Sequence, residues 1–150
     1  MKSRQSKNKT EPSNSLYRFV TFTQSGKEQE NYDRLVNVLN YLKSCKHIEQ
    51  LEYTFEEQPV SGNPHLHCHW YSKKYYHNSV GKQLKTLNVD WIDSDKRKGS
   101  FQSCIDYMAK PETKTIELKK KISAYNIELQ SDTVKAEHAR LQTVQQPQIQ

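Results

Sequence analysis

The amino-acid sequence predicts an α+β fold with a central antiparallel sheet of about five strands and flanking helices. Segments rich in β-branched and aromatic residues, with two-residue alternation, lie between segments whose apolar residues recur at helical spacing. In addition, the turn-forming segment QPVSGNP at residues 58–64 joins two of the predicted strands as an antiparallel hairpin. Strands interleaved with helices around such a hairpin are typical of an α+β sandwich.

Each element follows from a local pattern. The alternating or β-branched segments predict strands at residues 17–23, 48–56, 65–71 and 89–92. Helical spacing and capping residues predict helices at residues 28–44, after a cap at Ser79, at residues 100–110 and at residues 115–125. In the second of these helices Leu84 and Leu87 face inward, and Pro111 ends the third.

Composition divides the chain into a folded body and two less structured ends. Residues 1–15 predict a flexible basic arm, and residues 16–112 predict one folded domain. Residues 113–129 are interpreted as a C-terminal helix or linker, and residues 130–150 as a Gln-rich, disordered tail. The net charge is +6, but most of the excess lies in the arm and after residue 112. The charge therefore supports a nucleic-acid partner only weakly.

The cysteines and the apolar segments argue against several protein classes. Three widely spaced cysteines (Cys45, Cys68 and Cys104) without a CxxC pair disfavour a disulfide scaffold and a cysteine-rich zinc module. No segment approaches the length of a membrane span, and the polar N-terminus lacks an apolar signal core. These features predict an intracellular protein with no membrane partner.

Three histidines at alternate positions are the strongest chemical signal in the chain. In a strand, His65, His67 and His69 share one face, while the apolar residues between them share the other. On the preceding strand, parity places Glu56 on the polar face and its reserve, Glu57, on the side of Tyr53 and Phe55. If the polar faces of the two strands coincide, Glu56 meets the histidines. Two imidazoles and a carboxylate hold a divalent cation with open positions. Ordinary surface polarity is the competing interpretation, and it suits His69 better than metal binding does.

A second candidate group lies on the helix predicted at residues 100–110. Its apolar residues form one arc, Tyr107 lies at the edge of that arc, and Lys110 follows on the polar side. Amphipathic packing alone explains a tyrosine in such a place. Beside a metal, however, a phenol is a nucleophile for a phosphodiester, and a nearby ammonium balances the developing charge.

Three motifs in a fixed order resemble a known family. They are the strand segment FVTFT, then Glu56 followed by GNPHLH at residues 62–67, and then Tyr107-Met-Ala-Lys110. This order resembles the HUH single-strand endonucleases, most of all the nuclease domain of replication-initiator (Rep) proteins of circular single-stranded DNA viruses and rolling-circle plasmids. The resemblance covers about residues 17–112. It implies an HUH or RRM-like Rep nuclease fold.

The resemblance also implies an activity and a set of site residues. Glu56, His65 and His67 would hold Mg²⁺ or Mn²⁺, and Tyr107, assisted by Lys110, would attack a single-stranded origin and form a 5′-phosphotyrosine. Such an enzyme nicks and joins the stem-loop origin that initiates rolling-circle replication. A viral protein of this kind acts in the host nucleus if the host is a eukaryote, and a plasmid or bacterial protein acts in the cytoplasm.

The predicted DNA contacts come from the first motif and from basic and aromatic side chains. The first motif implies origin contacts by Thr21, Thr23 and Gln24, although FTQS is a loose version of the family pattern. The candidates for backbone contacts are His69, Lys73, Lys74, Lys96, Arg97 and Lys98. The candidates for base stacking are Trp70, Tyr71, Tyr75 and Tyr76, although strand parity favours a buried Trp70. A solvated loop is the competing interpretation of the basic cluster.

Other proteins share parts of this pattern. A single-tyrosine HUH transposase uses the same chemistry, with its tyrosine helix exchanged in a dimer, and plasmid relaxases are larger relatives. A non-catalytic metal-binding or nucleic-acid-binding module keeps the histidines but has no need of Tyr107. The chain has no GxxxxGK[ST] loop, so any helicase would be a host protein or a separate domain. The sequence leaves the metal, the origin sequence and the oligomeric state open.

Overall fold

The computed structural model describes residues 17–72, 77–93, 100–110 and 114–145, and it confirms the α+β class. The strands are β1 (Tyr17–Thr23), β2 (Ile48–Glu57), β3 (Pro64–Ser72) and β4 (Asp90–Asp93). The helices are α1 (Gln29–Ser44), α2 (His77–Thr86), α3 (Phe101–Met108), α4 (Ile116–Ser123) and α5 (Asp132–Gln145). The arm at residues 1–15 lies outside the described residues.

The strands form one antiparallel sheet in the order β2-β3-β1-β4. The described residues thus give four strands, where the sequence predicts about five. Strands β2 and β3 are the predicted hairpin, and β1 lies beside β3 with Thr21 opposite His67. Both β1 and β3 have a strand on each side, and β1 is accordingly rich in β-branched and aromatic residues.

The first face of the sheet carries the main hydrophobic core. Helices α1 and α4 bury their apolar sides here against alternate residues of β1, β2 and β3. On β3 these residues are Leu66, Cys68 and Trp70, all less than 5% exposed, as strand parity predicts. The alternation therefore assigns the faces correctly along the whole of β3.

Two backbone features shape the hairpin. In β2, Gln50 has a φ of 54° and the pairing with β3 shifts between Glu49 and Glu52. Beyond this bulge the register is regular up to Glu57, which fixes the parity of the residues at the end of the strand. In the connecting loop Gly62 has a φ of 74°, in the left-handed region that glycine tolerates best.

The second face of the sheet is covered by α3 and α5. Ile105, Met108 and Ala109 of α3 pack against Val134 of α5, with Phe19 of β1 beneath them. In addition, His138 donates a hydrogen bond from Nδ1 to the carbonyl of Ala109, at 2.9 Å. Helix α5 therefore fixes the C-terminal end of α3 on the sheet.

The interpretation of residues 130–150 as a disordered tail is wrong for residues 130–145. Leu129 and Ser131 pair with the outer edge of β2 through backbone hydrogen bonds to Phe55 and Tyr53, both 3.0 Å long. Helix α5 then packs on α3. The folded body consequently extends well past residue 112, since Val134 and Leu141 of α5 pack against Ile105 and Met108 of α3.

The helix boundaries differ from the prediction in smaller ways. Helix α2 begins at His77, so Ser79 lies inside it rather than capping it. Helix α3 ends at Met108, two residues before the predicted end at Lys110. The predicted linker or helix at residues 113–129 contains the short helix α4, whose N-terminus is capped by the Thr115 hydroxyl.

Among the described residues, no helix is long and apolar enough to cross a membrane.

Docking of α5 on α3 has a measurable consequence for stability. Val134 is fully buried in this contact, whereas Val60 is 97% exposed in the hairpin loop. We expect Val134→Ala to lower the free energy of unfolding by about 2 kcal/mol, because it removes buried methyl groups and leaves a cavity. Val60→Ala is the matched control and should leave it unchanged. Equal urea midpoints for the two variants would show that α5 does not pack as described.

Candidate active site

The alternating histidines of β3 lie on the second face of the sheet, and their burial changes along the strand. His69 is fully buried, His67 is 4% exposed and His65 is half-buried. His69 packs on Phe101 at the start of α3 and stacks on Tyr17, with ring centroids 5.4 and 5.8 Å apart. Only the His65 end of the row therefore opens toward solvent.

The two adjacent glutamates at the end of β2 point to opposite faces, as parity predicts. Glu56 lies on the histidine face, where its Oε1 is 3.1 Å from Nε2 of His67. Glu57 lies on the core face, where its carboxylate accepts hydrogen bonds from the hydroxyls of Tyr32 and Thr115, at 2.8 and 3.0 Å. Glu57 is thereby removed from the candidate ligand set, and Glu56 is retained.

A hydroxyl on β1 fixes the orientation of the His67 ring. Thr21 lies directly opposite His67 in the sheet, and its Oγ1 is 2.8 Å from Nδ1 of that ring. This contact leaves Nε2 facing Glu56. An ionised carboxylate only accepts, so Nε2 donates in its contact with Glu56. To bind a metal through Nε2, the ring would have to give up that proton and donate from Nδ1 to the Thr21 hydroxyl, and such partners set the tautomer of metal-binding histidines.

A buried lysine is the second hydrogen-bond partner of the Glu56 carboxylate. Lys114, between α3 and α4, donates from Nζ to Oε2 of Glu56 at 2.8 Å and to the carbonyl of Lys110 at 2.9 Å. Both side chains of this ion pair are almost fully buried, at 0% and 5% exposure. The two oxygens of Glu56 thus have different partners, His67 on one side and Lys114 on the other.

These contacts keep Glu56 ionised and His65 neutral. Burial alone would raise the pKa of Glu56, but the hydrogen bonds and charges of His67 and Lys114 outweigh it and lower that pKa to about 2. Burial, together with the charge of His67, lowers the pKa of His65. An ionised carboxylate and a neutral imidazole are the protonation states that bind a divalent cation.

Helix α3 brings Tyr107 to the same place. Ser100 caps the helix, and its hydroxyl and that of Ser103 form a reciprocal capping box. The Tyr107 ring contacts those of His67 and Phe19 edge-on, at centroid distances of 5.4 and 5.8 Å, and the residue is 45% exposed. Nζ of Lys110 lies 3.9 Å from the centroid of the Tyr107 ring. The motif tyrosine and lysine therefore lie beside the metal-ligand candidates.

The donors fit a divalent cation in type, and two of them fit in spacing. Neighbouring ligands of an octahedral ion with bonds of about 2.1 Å are about 3.0 Å apart, close to the 3.1 Å between His67 Nε2 and Glu56 Oε1. The His65 and His67 rings are 6.0 Å apart. Within the described part of the chain, no three His, Cys, Asp or Glu side chains are already grouped as a metal site. His65 would have to turn inward to join the pair.

Two of the predicted DNA contacts are wrong, because the side chains are buried. His69 lies beneath α3, and Gln24 is 7% exposed with its amide against Asn31. Thr23 lies opposite His65 and Tyr71 packs on Tyr17, both half-buried, while Trp70 is in the core. The remaining predicted contacts lie outside the described residues: Lys73, Lys74, Tyr75, Tyr76, Lys96, Arg97 and Lys98.

Comparison with known proteins does not assign a family to this chain. It matches no protein-family model, and a search of curated proteins finds no significant match. The geometry of the site is consequently the main basis for its functional interpretation.

Two contributors to the site were not predicted. Lys114 lies 58 residues from Glu56 in sequence, and nothing in its local pattern marks it as buried. The role of Thr21 as the partner of His67 was also missed, although its strand and its face were predictable. The pairing of β1 with β3 is the information that the sequence alone does not contain.

The low pKa of Glu56 predicts a specific loss of stability in acid. Its pKa in the folded protein, about 2, lies below its ordinary value of 4.5, so its contribution is complete above about pH 4.5 and is lost as the pH falls toward 2. Glu56→Gln should therefore be less stable than the wild type at pH 7, and the difference should shrink between pH 4.5 and 2.5. Urea unfolding at several pH values measures this.

The exposed Glu30, on α1, provides the matched control. Glu30→Gln should differ little from the wild type at every pH, since its carboxylate is 68% exposed beside Arg34. A stability difference between Glu56→Gln and the wild type that does not change with pH would contradict the low pKa.

Proposed function

We propose that this chain is a metal-dependent endonuclease that nicks and rejoins single-stranded DNA through a covalent 5′-phosphotyrosine, as replication initiators of rolling-circle elements do. The observation that carries the proposal is the contact between the Tyr107 and His67 rings, at 5.4 Å, beside the Glu56 carboxylate. A half-exposed phenol next to a cation-binding pair is an arrangement suited to attack on a phosphodiester.

In this proposal the sheet prepares the phosphate and α3 supplies the nucleophile. Glu56, His65 and His67 would hold Mg²⁺ or Mn²⁺, which when bound withdraws charge from the phosphate. Thr21 holds the His67 ring, and Lys114 holds the second oxygen of Glu56. The ligands are thereby oriented before DNA arrives, which reduces the cost of arranging them during reaction.

The chemical step is an exchange of one phosphodiester for another. The Tyr107 oxygen attacks phosphorus and loses its proton to water, the bond from phosphorus to the 3′ oxygen breaks, and that oxygen takes up a proton. The phosphate then joins the Tyr107 oxygen to the 5′ oxygen of the cleaved strand. Lys110, whose ammonium lies against the Tyr107 ring, balances the negative charge that develops. Attack by a 3′-hydroxyl on this phosphotyrosine bond reverses these steps. Because the phosphotyrosine bond replaces the phosphodiester, joining requires no ATP.

Two sequence features support an initiator over a single-tyrosine transposase. They are the spacing of Tyr107 and Lys110 in the YxxK form and the GNPHLH segment at residues 62–67. The HUH or RRM-like Rep fold belongs to the same proposal. So do a stem-loop origin as substrate, a host or separate-domain helicase as partner, and action in the host nucleus or the bacterial cytoplasm.

Tyr107→Phe provides the sharpest test of the nucleophile. Wild-type protein incubated with Mn²⁺ and a labelled single-stranded stem-loop library should give a labelled protein band that survives denaturation. Tyr107→Phe should give none, because it lacks the attacking oxygen. Tyr41→Phe, on α1 at the opposite face of the sheet, is the matched control and should react like the wild type.

An adduct formed by Tyr107→Phe would refute the assignment of the nucleophile. If the wild type bound the DNA library but neither cleaved nor labelled any member of it, the chain would be a non-catalytic binding module instead.

The metal assignment predicts graded effects for a ligand and its support. Thr21→Val should lower Mn²⁺ affinity roughly 10- to 100-fold, since partners that orient a ligand contribute about that much. His67→Ala should lower it further, and Thr143→Val on α5 should have no effect. Titration with Mn²⁺, followed by the electron paramagnetic resonance signal of the free ion, measures these affinities. Unchanged affinity in His67→Ala would contradict the ligand assignment.

A further inference from the structure

The buried ammonium of Lys114 is unusual for a site that is to receive a cation. Its side chain is fully buried and bonded to Oε2 of Glu56, the one carboxylate in the candidate ligand set. Its second acceptor, the carbonyl of Lys110, holds it in place independently of Glu56. The ammonium is therefore fixed beside the ligands rather than free to swing into solvent when an ion arrives.

The charge of the Glu56 carboxylate is already offset by the Lys114 ammonium before any ion binds. Nζ of Lys114 lies 2.8 Å from Oε2 of Glu56, and both side chains are buried, so the two opposite charges are paired within the protein. From α3, Lys110 adds a further positive charge over Tyr107. Protein sites for Mg²⁺ and Mn²⁺ rely on carboxylates to offset the charge of the ion. Here the protein supplies no surplus of negative charge among these groups.

We propose that Lys114 acts as a positioning residue that makes binding of the divalent cation depend on the DNA phosphate. The inference rests on the proposed function. With its carboxylate neutralised, the site binds the ion weakly by itself, and the scissile phosphate supplies the negative charge that the ion requires. Because coupling between two ligands is reciprocal, the ion strengthens phosphate binding by the same factor.

Such coupling would also leave the site largely without a cation in the free protein, because the ion would bind mainly together with the phosphate. Lys114 also keeps Oε1 of Glu56 directed toward His67, so the carboxylate is already placed when both partners arrive.

The first test compares Mn²⁺ affinity of the complete protein without DNA. Lys114→Met removes the charge but keeps a side chain of similar length, and it should bind Mn²⁺ about tenfold more tightly than the wild type, since a unit charge a few Å away is repulsive by more than 1 kcal/mol. Lys114→Arg keeps the charge and should bind like the wild type. Lys135→Met is the matched control, because Lys135 is an exposed lysine paired with Glu128 on α5.

A merely structural role for Lys114 predicts the opposite result, because a loosened Glu56 would weaken Mn²⁺ binding in Lys114→Met. Equal or weaker binding by that variant overturns the proposal. Failure of the proposed function is distinguishable, since the wild type and Lys114→Met would then bind Mn²⁺ with the same affinity as their His67→Ala derivatives.

The second test needs no substitution of Lys114, so it applies even if Lys114→Met does not fold. In the Tyr107→Phe protein, which cannot cleave, Mn²⁺ affinity is measured with and without a saturating single-stranded stem-loop library. The DNA should tighten Mn²⁺ binding about tenfold or more. Where Lys114→Met does fold, it should reduce that gain in the same protein. Mn²⁺ affinity that is unchanged by bound DNA overturns the proposal.

Discussion

The buried bond between Lys114 and Glu56 is the contact on which the arrangement of the site depends. Glu56 brings a carboxylate to the end of β2, and Lys114 brings an ammonium from the segment between α3 and α4. Leaving either charge buried without the other would be costly, so the bond fixes both side chains in one arrangement. Since Lys114 also donates to the carbonyl of Lys110, the C-terminal end of the tyrosine helix is held at the sheet.

The second face of the sheet serves both as core and as site. At one end His69 is sealed beneath Phe101, and at the other His65 is half-buried, with His67 and Glu56 between them. The packing of Phe101 on His69 and of α5 on α3 holds α3 in place on the sheet. At the open end, the half-exposed Tyr107 lies against the His67 ring. Of the three alternating histidines, His69 is therefore a packing residue beneath α3, whereas His65 and His67 are the two ligand candidates.

Strand parity made much of this site predictable from the sequence. It placed Glu56 and Glu57 on opposite faces of β2, and the three histidines on one face of β3, because side chains alternate along a regular strand. The pairing of Glu56 with His65 brings Glu56 and the histidines to the same face, and this register comes from the structure. Parity does not reveal what covers a face, so the burial of His69 was missed. Lys114 was missed because its partner is distant in sequence. The helix after residue 131 did carry a signal, since Val134, His138 and Leu141 have helical spacing, but its Gln-rich surroundings obscured it.

The central claim is that Tyr107 and the His67–Glu56 pair form a single reaction centre. The most direct measurement is mass spectrometry of proteolytic fragments after the protein has reacted with single-stranded DNA and Mn²⁺ and the bound DNA has been digested to a nucleotide. We expect a nucleotide attached through its 5′ phosphate to Tyr107 and to no other tyrosine. Attachment to a different residue, or cleaved DNA with no attached nucleotide, would contradict it.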